Sequence, residues 1–160
     1  MTDAFDTDLA SLYREVIIEH GRKPRNFGPL SDATQHVEAL NPLCGDQLDI
    51  ELRIVDGRVD GIAFTGSGCA ISQASASLMT EAIKDRDTAE ARDLFDRVHA
   101  MLTGNAAQAG DPEALGKLAA LQGVSEFPTR VKCASLAWQA LRSALDDDAA
   151  AGVEPVVSTE

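Results

Sequence analysis

The sequence predicts an α+β fold: a small antiparallel sheet early in the chain, with helices packed on one side of it. Three observations carry this. Leu48, Ile50, Leu52 and Ile54 alternate with Asp49, Glu51 and Arg53, which is the period of a half-buried strand. The Asp56-Gly57 pair that follows is a two-residue hairpin signal, so a second strand returns alongside the first. Apolar residues at helical spacing then dominate everything after about residue 70, and strands followed by a run of helices read as an α+β domain.

The elements follow in order. From Asp8 to His20, the apolar residues Leu9, Leu12, Tyr13, Val16 and Ile17 repeat as on one face of a helix, with Gly21 as its stop. "RKPRNFGPL" is a loop by its prolines and glycine. A weak strand covers Gln35–Leu40, the alternating strand runs over Leu48–Ile54, and its partner runs over Val59–Thr65 with Ile62 and Phe64 inward. Ile71, Ala74, Ser75, Leu78, Met79, Ala82 and Ile83 share one face of a helix that reaches about Lys84. The small residues "ASAS" at 74–77 suit close packing of that helix on the sheet. Asp87 and Glu90 have the spacing of a capping box, ahead of an apolar stripe from Ala91 to Leu102. A short helix runs from Asp111-Pro112 to Gly123. The last helix starts at Pro128 and sets Cys133, Leu136, Ala137, Ala140, Leu141 and Ala144 on one face. A single domain is expected over residues 1–146, with 147–160 as a disordered tail, because "DDDAAAGVEPVVSTE" has no periodicity.

Charge narrows the function. The formal net charge is −12, which argues against nucleic acid and anionic membranes, since both need a basic patch. A basic protein partner is the natural electrostatic match, although acidic surfaces also serve solubility alone. No apolar run approaches the roughly 20 residues that span a bilayer. The acidic start "MTDAFDTDLA" lacks the features of a signal peptide, so a cytoplasmic location is expected. Thiols stay reduced there, and the odd count of three cysteines suits free thiols or metal ligands better than disulfides.

Each cysteine stands at a structural boundary. Cys44 and Asp46 lie in the turn leading into the Leu48 strand. Cys69 follows the Phe64 strand across Gly66-Ser67-Gly68 and opens a helix, where backbone N–H groups and the helix dipole favour a thiolate. Cys133 lies near the start of the last helix. The turn before a strand and the turn after its hairpin partner share one edge of the sheet, so Cys44, Asp46 and Cys69 can converge. Cys133 joins them if the last helix crosses that edge. Three thiolates and a carboxylate suit tetrahedral zinc, and Gly66 and Gly68 would let the backbone approach the ion. The plainer alternative is that each cysteine fills the core as a small hydrophobe. Three thiolates make zinc a poor Lewis acid, and no base accompanies them, which disfavours a hydrolase. His20, His36 and His99 are scattered and are not expected to be ligands.

Four blocks, "LYREVIIEHGRKPRNFGPL", "NPLCGDQLDIEL", "GSGCAISQASASLMTEAIK" and "LQGVSEFPTRVKCASLAW", together resemble the U-type iron–sulfur cluster assembly proteins. This is the family of IscU, SufU and the N-terminal domain of NifU. The likeness runs from about Leu9 to about Leu145. It points to the SufU branch, because IscU-type scaffolds have a histidine where this chain has Lys132, and the stretch between Cys69 and Cys133 looks longer than in IscU. The resemblance implies metal ligation by Cys44, Asp46, Cys69 and Cys133. It also implies a zinc-dependent acceptor of persulfide sulfur from a SufS-type cysteine desulfurase, serving downstream iron–sulfur assembly proteins. Two alternatives stay open: an IscU-like scaffold holding iron or a transient [2Fe–2S] cluster, and a zinc-stabilised interaction module. Cys44 is the expected sulfur acceptor. Its turn can move, whereas secondary structure anchors Cys69 and Cys133, and the resemblance favours the same residue.

Overall fold

The computed structural model describes residues 3–41, 45–105, 112–126, 128–146 and 156–158. Helix α1 (Asp3–Arg22) leads into strands β1 (Gln35–Asn41), β2 (Asp46–Val55) and β3 (Arg58–Ser67). Helices α2 (Ala70–Ile83) and α3 (Thr88–Leu102), a 3-10 run over Pro112–Glu126, helix α4 (Pro128–Asp146) and strand β4 (Val156–Ser158) follow. The sheet order is β3-β2-β1-β4. The first three strands form an antiparallel meander, as expected, and β4 joins β1 in parallel.

The meander is built from its side-chain period. Val37 and Ala39 on β1, Leu48, Ile50 and Leu52 on β2, and Ile62 and Phe64 on β3 all face the helices and are buried. The turn at Asp56-Gly57 has positive φ at both residues (52° and 76°), the geometry that two-residue hairpins require. On the other layer, α4 buries Leu136, Ala137, Trp138, Ala140, Leu141 and Ala144. At the start of α3, Asp87 and Glu90 complete the capping box.

Several details differ from the sequence expectation, each for a physical reason. Gly21 does not stop α1, which continues through Arg22 and closes with Lys23 N–H on the Glu19 carbonyl at 2.8 Å. The stop is Pro24, which disfavours helical geometry in the residue before it. Gly21 packs instead against the first turn of α2, where an added Cβ would lie 3.5 Å from Ala70 Cβ. Leu12 is exposed, so the buried face of α1 is narrower than its apolar stripe. The 3-10 run passes Gly123 and is broken at Gly116, whose φ is 58°. The small residues of α2 serve helix–helix joints more than the sheet. Ser75 Oγ donates to the Ala134 carbonyl at 2.6 Å and accepts from Trp138 Nε1 at 3.1 Å. Within the segment expected to be a structureless tail, Val156–Ser158 pair with Glu38–Leu40. The edge of β1 offers unpaired backbone groups, and two adjacent valines suit a strand there. Residues 147–155 and 159–160 lie outside the described residues.

The least expected residue is His20. Its place near a helix C-terminus favours a cation, yet it is 2% exposed. Ser77 Oγ shares a 2.7 Å hydrogen bond with His20 Nδ1 and accepts Arg25 N–H at 2.8 Å. This joins α1 and its following loop to α2. Burial first, and then the Arg25 charge, hold the His20 pKa below the usual imidazole value of 6.5. The unfolded chain therefore binds a proton that the fold resists, and stability falls as pH drops through about 6.5 towards the folded value. In the metal-free protein, urea midpoints at about pH 7.5 and about pH 5.5 should differ, with the acidic one lower, and His20→Gln should shrink that difference. An equal difference in the variant would remove His20 from the account.

Candidate metal and sulfur site

The β1–β2 connection and the end of β3 meet at one end of the sheet because of register. Asn41 pairs with Asp46, and Gln47 pairs with Ser67. Asp46 is the first residue of β2 and shares the inward face with Leu48 and Ile50, so its carboxylate points towards the helices and is 1% exposed. Strand β3 ends at Ser67, and after Gly68 the chain enters α2 with Cys69 as its N-cap. From the other layer, α4 delivers Cys133, which is 4% exposed. Ligand atoms of Asp46, Cys69 and Cys133 all lie within 4.8 Å of one another. Three of the four expected ligands therefore converge. The fourth, Cys44, lies outside the described residues.

The start of α2 organises this cluster. Cys69 N–H donates to Asp46 Oδ1 at 2.8 Å, and Ser72 N–H donates to Cys69 Sγ at 3.5 Å. A carboxylate and a thiol thus share the positive end of one helix, where negative charge is stabilised. The bond to Cys69 N–H anchors Asp46 inside the fold. Its second oxygen, Oδ2, stands 3.8 Å from Cys69 Sγ.

Zinc fits this donor set. Around a tetrahedral zinc, with bonds of about 2.3 Å to sulfur and about 2.0 Å to oxygen, neighbouring donor atoms lie about 3.5–3.8 Å apart. The Cys69–Asp46 spacing is already that of such an edge. Cys69 is exposed while Cys133 and Asp46 are buried, so the cluster opens to solvent on the Cys69 side.

The glycines act differently from expectation. Gly66 has φ 137°, and a Cβ there would lie 2.1 Å from the Gln47 carbonyl oxygen; it permits the approach of β2, not of an ion. A Cβ on Gly68 would lie 2.7 Å from Asp46 Oδ1 and 2.6 Å from Ser72 Oγ. Gly68 makes room for the carboxylate itself.

None of the three histidines belongs to the cluster. His36 pairs with Asp49 at 3.5 Å on the face away from the helices, and His99 stacks on Phe95. Sequence reasoning missed Asn41, the last residue of β1, which is buried and donates from Nδ2 towards Cys133 Sγ at 3.9 Å. The available signal was a polar residue at an inward position of β1, directly before "PLCGD".

The chain matches the NifU-like N terminal domain over residues 12–134, a span that contains Asp46, Cys69 and Cys133. It belongs to the U-type iron–sulfur cluster assembly family. Over 138 residues it is 43% identical to the zinc-dependent sulfurtransferase SufU of Bacillus subtilis, covering 86% of this chain and 92% of that protein. It is 39% identical over 139 residues to the iron–sulfur cluster assembly scaffold protein IscU of Streptococcus pyogenes, covering 86% and 84% respectively. Among solved structures, a putative iron–sulfur cluster assembly scaffold protein for the SUF system from Fervidobacterium islandicum matches with a TM-score of 0.76 at 30% identity. That match covers 82% of this chain and 94% of the other. A NifU-like protein from Brucella abortus, at 22% identity and a TM-score of 0.77, shares the fold.

Gly68 gives a direct test of this geometry. Gly68→Ala should displace the Asp46 carboxylate and weaken zinc binding by about tenfold or more. It should also lower the melting temperature of the metal-free protein, because the buried carboxylate loses its Cys69 N–H partner. Competition with a chromophoric chelator measures the first, and a thermal melt the second. Undiminished zinc affinity would contradict the placement of Asp46 against Gly68.

Proposed function

We propose that this chain is a zinc-dependent sulfur acceptor. It takes persulfide sulfur from a SufS-type cysteine desulfurase and passes it to iron–sulfur assembly proteins in the cytoplasm. The observation that carries the reading is the convergence of two sulfurs and one carboxylate at the open end of the sheet. The Bacillus subtilis relative, whose name gives it as a zinc-dependent sulfurtransferase, supports it. No described helix is long and apolar enough to cross a membrane.

Cys69, Cys133 and Asp46 would hold the ion, with Cys44 as the fourth ligand. Cys44 is two residues before Asp46, so their Cα atoms are at most about 7.6 Å apart. When bound, zinc keeps the thiols as thiolates and does no redox chemistry of its own. The transfer itself is a displacement between sulfurs. The Cys44 thiolate attacks the outer sulfur of the desulfurase persulfide, and a new S–S bond forms on Cys44. The old S–S bond breaks, and the desulfurase cysteine leaves with the electron pair as a thiolate. Electrons balance without an outside oxidant. Asp46, held by Cys69 N–H, keeps the remaining cluster in place while Cys44 reacts.

A second reading treats the same residues as a scaffold on which a transient [2Fe–2S] cluster is the cargo. The name of the Streptococcus pyogenes relative favours it. Lys132, where IscU-type scaffolds have histidine, favours the first reading.

Protein purified without air should contain about one zinc per chain, held by four protein ligands, should be colourless, and should raise the turnover of a SufS-type desulfurase. Cys44→Ser should abolish the persulfide seen by mass spectrometry under non-reducing conditions. It should cost less zinc than Cys69→Ser or Cys133→Ser. Brown protein containing iron and sulfide would favour the scaffold, and zinc without stimulation would leave a purely structural metal. Added sulfur on Cys69 or Cys133 with Cys44 bare would overturn the choice of acceptor.

A further inference from the structure

We infer that Asn41 is a positioning residue of this site: its buried amide donates to the Cys133 sulfur and so tunes the affinity of the site for zinc. The inference rests on the zinc reading above and adds a residue to it.

Asn41 occupies an inward position of β1, following Val37 and Ala39 on the same face, and is 0% exposed. Burying an amide is costlier than burying an aliphatic side chain, so an aliphatic residue would fill this place more cheaply if packing were all that mattered. The side chain is therefore to be explained by its partners, and Cys133 is one of them. Nδ2 lies 3.9 Å from Cys133 Sγ, at the long end of the range for N–H donation to sulfur. Its backbone is the cross-strand partner of Asp46. One residue thus links the carboxylate ligand, through the strand ladder, to the sulfur ligand on α4.

The two described sulfurs differ in what the backbone can do for them. Cys69 caps α2 and receives Ser72 N–H at 3.5 Å. Cys133 lies inside α4, where helix N–H groups are bonded to carbonyls one turn back. The Asn41 amide does for Cys133 what the end of α2 does for Cys69. Such an N–H partner fixes the direction of the sulfur lone pairs and lowers their energy, which is how outer-shell groups tune a metal site.

The test compares wild type with Asn41→Leu, which keeps the heavy-atom branching, adds volume and removes the amide. Chelator competition should show zinc affinity reduced about 10- to 100-fold, with the metal-free circular dichroism unchanged. In the cobalt(II) forms, the sulfur-to-metal charge-transfer band should move to lower energy in the variant, because an undonated thiolate is the better electron donor. A merely structural role for Asn41 would weaken affinity without moving that band. Should Asn41→Leu fail to fold, the wild type loaded with an NMR-active cadmium isotope provides the measurement: the Asn41 side-chain N–H should show scalar coupling to cadmium through sulfur. A wild type that binds zinc, with an unmoved band in the variant or no such coupling, overturns this inference alone. A wild type that binds no zinc overturns it together with the function proposed above.

Discussion

Asp46 faces the helices because Asn41 pairs with it on one side and Gln47 pairs with Ser67 on the other, and everything at the site depends on that register. A slip of one residue would turn Asp46 to the open face of the sheet and carry Leu48, Ile50 and Leu52 out with it. Those three side chains are fully buried, and each contributes about 1.5–3 kcal/mol as an upper estimate. Together they hold the register with roughly 5–9 kcal/mol. The effective penalty for burying a carboxylate is several kcal/mol, and the Cys69 N–H bond and the α2 dipole reduce it. The apolar stripe of β2 therefore outweighs the cost of a buried acid at its end.

The second constraint is the short passage from β3 into α2. Gly66 allows β3 to lie tight against β2, Gly68 leaves room for the carboxylate, and Cys69 begins the helix with its thiol as the cap. The Cys69–Asp46 pair thus already has nearly the spacing of one tetrahedral edge. Preorganisation of this kind limits the ordering cost of binding. It also gives the three clustered side chains different freedoms: Asp46 and Cys133 are buried in two layers, while Cys69 borders solvent. A site with one open side can meet a partner without unfolding.

Much of this was legible in the sequence. The strand alternation, the Asp56-Gly57 turn and the Asp87–Glu90 capping box are local signals that the fold obeys. The convergence of Asp46 and Cys69 followed from topology, since a hairpin brings its flanking turns to one end, whereas that of Cys133 depended on α4 packing across that end. What was not legible needs tertiary partners. His20 is buried with Ser77 at its Nδ1 and Glu81 at its Nε2, and nothing near it in the chain announces this. Asn41 lies one residue past the weak strand expected over Gln35–Leu40, and only α4 places Cys133 beside it. Gly21 and Pro24 both signal a helix stop, and only packing against Ala70 shows why the glycine is passed over. The pairing of Val156–Ser158 depends on a free edge more than 100 residues earlier in the chain.

The central claim is that three cysteines and one aspartate form a single ligand set, with the carboxylate held in place by the fold. X-ray absorption at the zinc edge of the purified protein tests this most directly. The account predicts three sulfur neighbours at about 2.3 Å and one oxygen at about 2.0 Å, with the oxygen lost or replaced in Asp46→Ala. A shell of four sulfurs, a shell dominated by nitrogen, or one unchanged by Asp46→Ala would contradict it.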